Sequence, residues 1–563
     1  MTVQIDFSKY HRYDELVTDL KRLHEAYPQL TRLYSIGKSY EGRDLWVIEV
    51  TNTATGAHET KPGYYVDGNL HAGEVTGTAC ALYFAWYLLT NYGRDEEVTR
   101  LVDATAFYIL PRVSPDGAEF YLTSPNFLRS TVRPYPFEEP QDGLQVQDLD
   151  GDGLILQMRV PDPDGEWKVS TRDPRLLIPR LPHEFGGQYY RLLQEGTIQN
   201  YNGVEIKAAP SRWGLDMNRQ FPVNWEPDAK QAGAGPYPLS EPETKAVAEF
   251  LLDRKNIVGG QSFHTTTGII LRPSSFATDE KMTPKDRIAW NTIGKIGEDL
   301  TGYPCVSVYD GYAYDKEKPI KGAFLDWCYE NLGLMIFSTE LWDLRVRAGL
   351  DRVPFLTPFK TRDAEEEGLA MLAFNDKELA GEGFVSWYDF DHPQLGKVQL
   401  GGWRMKDTLQ NAPLRFLKAE AHKNTLFLVK HAGASPRLEI ASAKAEHLGD
   451  GVYKVEVVLK NRGYLPTNVT EKAKAVKAVK PITVELGLPE GGNVVLGKAK
   501  EEAGHLEGRI VSPAGFYPGS TINAREKRLE WIVTAPAGGD LTVTAVSEKA
   551  GTAAVTLSLK AEV

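Results

Sequence analysis

Cysteine is scarce in this chain: three in 563 residues, Cys80, Cys305 and Cys328. An odd, widely spaced set makes no disulfide framework and suits a reducing compartment. Basic excess is missing as well. The formal net charge is −12, which argues against nonspecific nucleic-acid binding, because that needs a basic surface. No apolar run is long enough to span a bilayer; the longest, ACALYFAWYLL from Ala79 to Leu89, reads as a buried helix. The first residues, MTVQIDFSKYHRYDEL, hold no apolar signal-peptide core. There is no H-E-x-x-H, G-x-S-x-G or P-loop, so serine-hydrolase and nucleotide-binding readings lack support. These absences lead us to expect a soluble, cytoplasmic protein without nucleic-acid or membrane partners; a leader removed ahead of this numbering is the alternative.

What is present is ordinary for a globular protein of more than one domain: 42% hydrophobic and 25% charged residues. Strand and helix signals alternate through the first part. DELVTDLKRLHEAYP has helical periodicity, and DLWVIEVT, GYYVDGN and TAFYILPRV read as strands. EVTGTACALYFAWYLLTNYG and SEPETKAVAEFLLDRK are helices between strands. In the second of these, Ser240 is the expected N-cap, with Glu243 at N3 and Pro242 in the first turn. The fold class expected is α/β, a sheet with helices on both faces.

Two regions break that rhythm. Residues 122–210, rich in Pro, Asp and Gly, read as an insertion of loops and short strands. From about Pro436, short alternating runs separated by Gly, Pro and Asp turns indicate a β-sandwich over 436–563. No fixed-period repeat is visible.

The chemistry begins at YYVDGNLHAGEVTG. His71 and Glu74 stand where a strand gives way to an apolar helix, a spacing that aims an imidazole and a carboxylate at one point. Alone, H-x-x-E is weak. A zinc site needs a third protein ligand and an open position. His264, in GGQSFHTTTGIILRP, follows a small-residue strand; a lone hydrogen-bonded core histidine is the plain alternative. Glu340 ends the apolar strand LGLMIFSTELWD, where a carboxylate is costly unless paired or used as a base. RWGLDMNRQFPVNW presents Asp216, Asn218 and Arg219, the last two suited to holding a carboxylate. PRVSPDGAEFY has a turn at Ser114 to Gly117, and NFLRSTVRPYP carries Arg129 and Arg133.

Taken in order, G-N-L-H-A-G-E, S-P-D-G, D-M-N-R, S-E-P-E-T, S-F-H, L-D-W and S-T-E-L resemble the zinc metallocarboxypeptidases, the carboxypeptidase A-like group, over roughly Tyr10 to Phe374. The resemblance implies a carboxypeptidase-like mixed, twisted sheet within a catalytic domain over 1–430, followed by the sandwich. It implies that His71, Glu74 and His264 ligate one Zn²⁺ and that Glu340 is the general base. Asn218 and Arg219 would hold the terminal carboxylate of a peptide or peptide-like substrate, Arg129 would polarise the scissile carbonyl with Arg133 as fallback, and Asp216 would orient a zinc histidine. Leu325 resembles the residue at the base of the side-chain pocket, and its apolar character argues against strict preference for a C-terminal Lys or Arg.

There are departures. Gly73 stands where many relatives carry a substrate-contacting arginine. For the family's mobile tyrosine a gapless count reaches Lys318; Tyr314 serves with a small gap, Tyr312 less well. Lys316, Lys318 and Lys321 near the rim read as a solvated loop before they read as a preference for acidic substrates.

QDLDGDGLILQMR is a second candidate metal motif. Asp148, Asp150, Asp152 and Gly153 match the first half of a Ca²⁺ loop, but Arg159 stands at the twelfth position, where a bidentate Glu is expected. The plain alternative is a turn whose aspartates cap local amides. Three functions stay open: a zinc carboxypeptidase; an amidase on the same scaffold acting on γ-glutamyl, cell-wall peptide or acyl-amino-acid substrates; and a noncatalytic peptide-binding protein, against which Glu340 argues. No pro-segment is evident, so activity without proteolytic processing is expected. The sandwich reads as an accessory or packing domain.

Overall fold

The computed structural model describes residues 3–313, 315–352, 363–511 and 524–560. Eight strands form the central sheet: β1 (Thr31–Lys38), β2 (Asp44–Val50), β3 (Gly63–Gly68), β4 (Ala106–Leu110), β5 (Ile257–Thr265), β6 (Ile269–Arg272), β7 (Cys305–Ser307) and β8 (Met335–Leu341). Their order is β1-β2-β4-β3-β5-β8-β6-β7. Strands β4, β3, β5 and β8 run parallel in the middle, and β1, β2 and β6 join antiparallel. Every residue of β3, β4 and β5 is buried, as strands covered on both faces must be.

The helices Tyr13–Ala26, Val75–Asn91, Pro284–Thr301 and Leu414–Gly433 cover one face, packing Leu20, Phe84, Trp290 and Phe427 into a single core. The helices Pro242–Asp253 and Phe324–Glu330 cover the other, around Val247, Phe250, Phe324 and Trp327. Two glycines let strand and helix meet at the site end of the sheet. A Cβ on Gly68 would lie 2.5 Å from the Gly77 carbonyl, and one on Gly77 would lie 3.0 Å from the Phe263 oxygen.

Two local expectations shift. Ser114 to Gly117 is the start of a helix, Pro115–Thr123 with Pro115 in its first turn, because buried Asp116 accepts bonds from Ser39 Oγ, Glu41 N and Arg43 Nη1 at 2.7 to 2.8 Å. The helix Pro242–Asp253 takes Glu241 as its N-cap in place of Ser240. Ser240 Oγ donates to the Glu241 carboxylate, which Arg133 also holds. Glu243 turns outward from the cap to accept from Tyr40 N at 3.0 Å.

The insertion builds sheets of its own. Gly143–Val146 pairs with Gly196–Gln199. Gln157–Pro161, Trp167–Val169, Leu177–Pro179 and Tyr190–Gln194 join the hairpin Phe384–His392 and Gly396–Trp403 in a six-stranded sheet. That hairpin lies far beyond 210, and its aromatic and acidic residues give it no clear alternation. Past it, two four-stranded antiparallel sheets span Leu438–Gly449 to Gly551–Ser558 and bury Tyr453, Val457, Trp531 and Val543 in one core. This sandwich is docked on the sheet. Leu465 and Val469 enter the core beneath the helices, Thr470 Oγ1 donates to Gly333 O at 2.8 Å, and Asp286 accepts from Glu471 N at 2.7 Å and Lys472 N at 3.1 Å. No helix among the described residues is long and apolar enough to cross a membrane.

Candidate metal centre and active site

The site stands at the carboxyl ends of the parallel strands, where open α/β sheets place their ligands. Beyond β3 the chain turns through Asn69, whose backbone has a φ of 62°. Its side-chain amide donates to His71 O at 2.6 Å and Ala72 O at 3.0 Å, and its Oδ1 accepts from Thr78 Oγ1 at 3.1 Å. This loop delivers His71, and Glu74 follows as the N-cap of Val75–Asn91. His264 lies near the end of β5 and is the register partner of Glu340 on β8. Four side chains from three strand ends are thus fixed by sheet geometry.

His71 Nδ1, His264 Nδ1 and the Glu74 carboxylate converge. His71 Nδ1 is 2.9 Å from Glu74 Oε1, His264 Nδ1 is 3.0 Å from Glu74 Oε2, and the two ring nitrogens are 3.1 Å apart. All three residues are buried. The outer nitrogens set the tautomers. His71 Nε2–H donates to Asp216 Oδ1 at 3.2 Å. His264 Nε2–H donates to Ser262 Oγ at 3.3 Å, and that hydroxyl donates to Asp67 Oδ1 at 2.6 Å. Both Nδ1 lone pairs and a carboxylate therefore face one point inside the protein, an arrangement that repels itself unless a cation sits there. Two imidazoles and one carboxylate, with no fourth ligand in the group among the described residues, suit a catalytic zinc with an open position.

Electrostatics agree. Burial alone would raise the pKa of Glu74, but positive charge beside it, carried by protonated His71 and His264 rings when no cation is bound, holds it far below the usual carboxylate range. Asp216 is held down too: burial is outweighed by Arg129, Arg219 and His71. Glu340 moves the other way, upward, through burial and then the nearby Glu74 charge. Two carboxylates in one site pushed in opposite directions are what a base and a permanent anion require. Asp67 rises to about 6 through burial, eased by the Ser262 bond.

Arg129 and Asp216 close one wall. Arg129 Nε and Nη2 donate to Asp216 Oδ2 at 3.1 Å, and Nη1 donates to Glu74 Oε1 at 3.2 Å. The chain at Arg129 is tied down as well, its carbonyl accepting from Ala72 N at 2.9 Å. Arg133 lies elsewhere: its guanidinium is spent on the buried Glu241 carboxylate, so the fallback role falls away. Asn218 and Arg219 occupy a 3-10 turn, Met217–Arg219, capped by Asp216. Asn218 Oδ1 accepts from Phe324 N at 2.9 Å, and Arg219 Nη1 donates to Asn218 O at 2.8 Å and lies 4.0 Å from Asp216.

Comparison with known proteins gives this geometry a lineage. A family model described as zinc carboxypeptidase matches residues 16–358, more than half of the chain. The chain belongs to the zinc carboxypeptidase family. A domain of unknown function matches 437–558. Among individual proteins, carboxypeptidase D of Anas platyrhynchos is 41% identical over 116 residues, 20% of this chain and 8% of that protein. Carboxypeptidase M of Mus musculus is 36% identical over 115 residues, 20% of this chain and 26% of that protein. The chain thus spans only a small part of these relatives. Among solved structures, bovine thrombin-activatable fibrinolysis inhibitor, in complex with tick carboxypeptidase inhibitor, aligns at 20% identity and TM-score 0.39 over 67% of this chain and 99% of that one. Carboxypeptidase A of Helicoverpa armigera aligns at 16% identity and TM-score 0.40 over 68% and 76%.

Within this zinc carboxypeptidase family chain, the tyrosine beside the base among the described residues is Tyr312, whose hydroxyl donates to Glu340 Oε1 at 3.3 Å. Tyr314, the residue favoured by counting, lies outside the described residues. Leu325 is buried in an apolar cluster with Ile269, Leu271 and Val308, against which Tyr312 packs. Ile269 is the register partner of Glu340, so that cluster adjoins the base. Its neighbour Asp326 is pushed up to about 7 by burial, and its Oδ1 accepts from Ser275 N at 2.9 Å. Lys321 leaves the rim to pair with Glu226 at 2.8 Å. At Gly73 the space for a side chain is filled: a Cβ there would come 2.7 Å from Gln410 Nε2 and 2.9 Å from the Tyr121 ring.

Sequence reading missed Ser262, Asp67 and Gln410. An aspartate inside the buried strand GYYVDG was a visible signal for Asp67; nothing local points to Gln410. The Asp-rich loop also changes partners. Asp148 and Asp150 are joined by Glu195 within metal-binding reach, and Asp152 stays out of the cluster. All three aspartates also cap loop amides: Asp148 accepts from Gly151 N at 2.6 Å and Gly153 N at 2.9 Å, Asp150 from Asp152 N at 3.1 Å, and Asp152 from Leu154 N at 2.7 Å. Buried Glu195 accepts from Leu149 N at 2.6 Å and Leu156 N at 2.8 Å.

Proposed function

We propose that this protein is a zinc-dependent carboxypeptidase that removes C-terminal residues from peptides. The observation that carries the reading is the convergence of His71 Nδ1, Glu74 and His264 Nδ1 with Glu340 in register beside them. Zinc, when held by those three, supplies Lewis acidity and a water of lowered pKa. The protein's own residues do the rest. Glu340, its proton affinity raised by burial, takes a proton from the attacking water and returns it to the leaving amine. Arg129, fixed by Asp216 and Glu74, faces the site with a cation where negative charge develops on the carbonyl oxygen, an effect worth about 3–4 kcal/mol for one good donor. Asn218 and Arg219 bind the free carboxylate, which makes the reaction exopeptidic: a fork left without its anion is penalised. The apolar cluster around Leu325 receives the terminal side chain, and Tyr312 closes on the base.

The test is mass spectrometry of a mixed peptide pool, each sequence with a free or an amidated C-terminus, incubated with zinc-loaded enzyme and with Glu340→Gln. Stepwise loss of single residues from free peptides only, absent in the variant, is expected. Zinc bound at one equivalent with no peptide cut would overturn the reading and move the search to γ-glutamyl and acyl-amino-acid amides.

We also propose that the Asp-rich loop holds calcium through Asp148, Asp150 and Glu195. The supporting observation is that Glu195 brings, from a distant strand end, the carboxylate that Arg159 fails to provide. Calcium is expected to raise the unfolding midpoint of the parent and not of Glu195→Gln. Equal midpoints with calcium and with chelator would refute it.

A further inference from the structure

At the opposite end of the sheet from the metal centre, a cleft of about 160 Å³ separates the catalytic unit from the sandwich. Four arginines line it. Arg100 comes from the helix Glu96–Ala104 of the catalytic unit; Arg437, Arg462 and Arg509 come from the sandwich side. In a chain of net charge −12, four guanidinium groups around one small opening are unexpected. Among the described residues, Arg462 alone of the four has a carboxylate in contact: it forks onto Glu439 with bonds of 2.9 and 3.0 Å. Among the described residues, Arg100, Arg437 and Arg509 have no carboxylate within ion-pair distance, and all three are exposed.

The backbone beneath them is pinned. Arg462 N donates to Arg437 O at 2.9 Å, Arg437 N donates to Asn461 Oδ1 at 3.0 Å, and Arg509 N donates to Tyr464 O at 2.8 Å. These three arginines therefore spring from a fixed backbone. Thr105 and Ser435, both largely buried, add hydroxyl donors to the floor. The acidic residues Asp95, Glu96 and Asp103 lie in an adjoining hollow that shares Arg100 and Arg437, outside the cleft itself. Asp103 there is already engaged by Asn52 Nδ2 and Tyr92 Oη at 2.8 and 2.9 Å.

We infer that this junction is a binding site for a tetrahedral oxyanion of the phosphate or sulfate class, held by arginines of both units. Four guanidinium groups with the single carboxylate of Glu439 among them keep an excess of positive charge, and a multivalent anion offsets it. Planar guanidinium forks match tetrahedral oxygens in pairs. The cleft is roomy enough for one oxyanion of that class. Because Arg100 belongs to one unit and the other three to the second, the bound anion ties the sandwich to the catalytic unit. The inference does not depend on the reaction proposed above.

The test uses the full chain. Inorganic phosphate, then sulfate, is titrated by calorimetry at constant ionic strength with chloride as filler, and the unfolding midpoint is followed in parallel. Saturable binding of one anion is expected, with a midpoint that rises as the site fills. Arg437→Gln and Arg509→Gln each should weaken binding tenfold or more, and Arg462→Gln, whose fork Glu439 already holds, should weaken it less. Midpoints in chloride show whether each variant is folded, and Arg437→Lys, which keeps the charge and loses the fork, should fall between parent and Gln. A response that never saturates, or one of equal strength in parent and Gln variants, would overturn the proposal.

Discussion

The two ends of strand β5 make an instructive pair. At its carboxyl end, His264 meets Glu74 and His71, with Glu340 alongside. At its amino end, the carbonyl of Ile257 accepts a bond from Lys549 Nζ at 2.7 Å, a buried lysine carried in by the sandwich. Both ends bury ionisable groups; they differ in company. At the carboxyl end the lone pairs face one another, and each outer atom has a partner, Asp216 or Ser262. At the amino end one amine finds a carbonyl and, among the described residues, no anion in contact, and burial lowers its pKa to about 7. A buried group with no counter-ion gives up its charge and serves as a structural tie. Buried groups of matched type keep their charge and are available for chemistry.

Four changes break or sharpen this contrast. The largest effect is expected from Glu340→Gln, which removes the proton carrier and leaves the ligands intact. Turnover should fall by about 10³-fold with zinc content unchanged by elemental analysis; a drop of less than tenfold would place the base elsewhere. Next is Asp216→Asn. It replaces the charged acceptor of His71 Nε2–H and frees Arg129, so zinc affinity in chelator competition should fall about 10- to 100-fold.

The amino end gives the third. Because the folded pKa of Lys549 is depressed to about 7 while the unfolded chain titrates near the usual lysine value of about 10.4, the unfolded state binds more protons between them. Stability therefore rises with pH across that window and is weakest near neutrality. The slope contributed approaches about 1.4 kcal/mol per pH unit. Denaturant unfolding from pH 7.5 to 9 should show it in the parent and lose it in Lys549→Met, with peptide turnover unchanged. A parent whose stability is flat over that range would contradict the assignment. The smallest effect is expected from Ser262→Ala: a neutral hydroxyl at 3.3 Å orients His264 less firmly than a carboxylate orients His71, so zinc affinity should drop less than tenfold. If it dropped as far as in Asp216→Asn, the Asp67 charge would be acting through the hydroxyl.

Much of the site could be read from short stretches. His71 and Glu74 sit three residues apart on one turn between a strand and a helix, and that turn needs only local cues. Asp216, Asn218 and Arg219 likewise share one capped turn. The buried strands β3, β4 and β5 were legible because parallel strands are continuously apolar or small. Helix starts were less secure. Ser240 is the cap expected by residue type, yet the helix begins one residue later, after Glu241, whose carboxylate is held by Arg133, more than a hundred residues away.

What the sequence determined by itself, then, is the set of elements and the side chains at their ends, because periodicity, turn residues and ligand spacing act over a few residues. The tertiary structure alone decided who meets whom. It set His264 opposite Glu340, joined Ser262 to Asp67, brought Tyr312 beside the base, and gave Arg129 to the site but Arg133 to Glu241. It carried Glu195 to the Asp-rich loop and the hairpin Phe384–Trp403 to a strand more than two hundred residues earlier. These pairings depend on register and packing between distant segments. Their energies arise only when loops close and water leaves, so no short stretch of the chain records them.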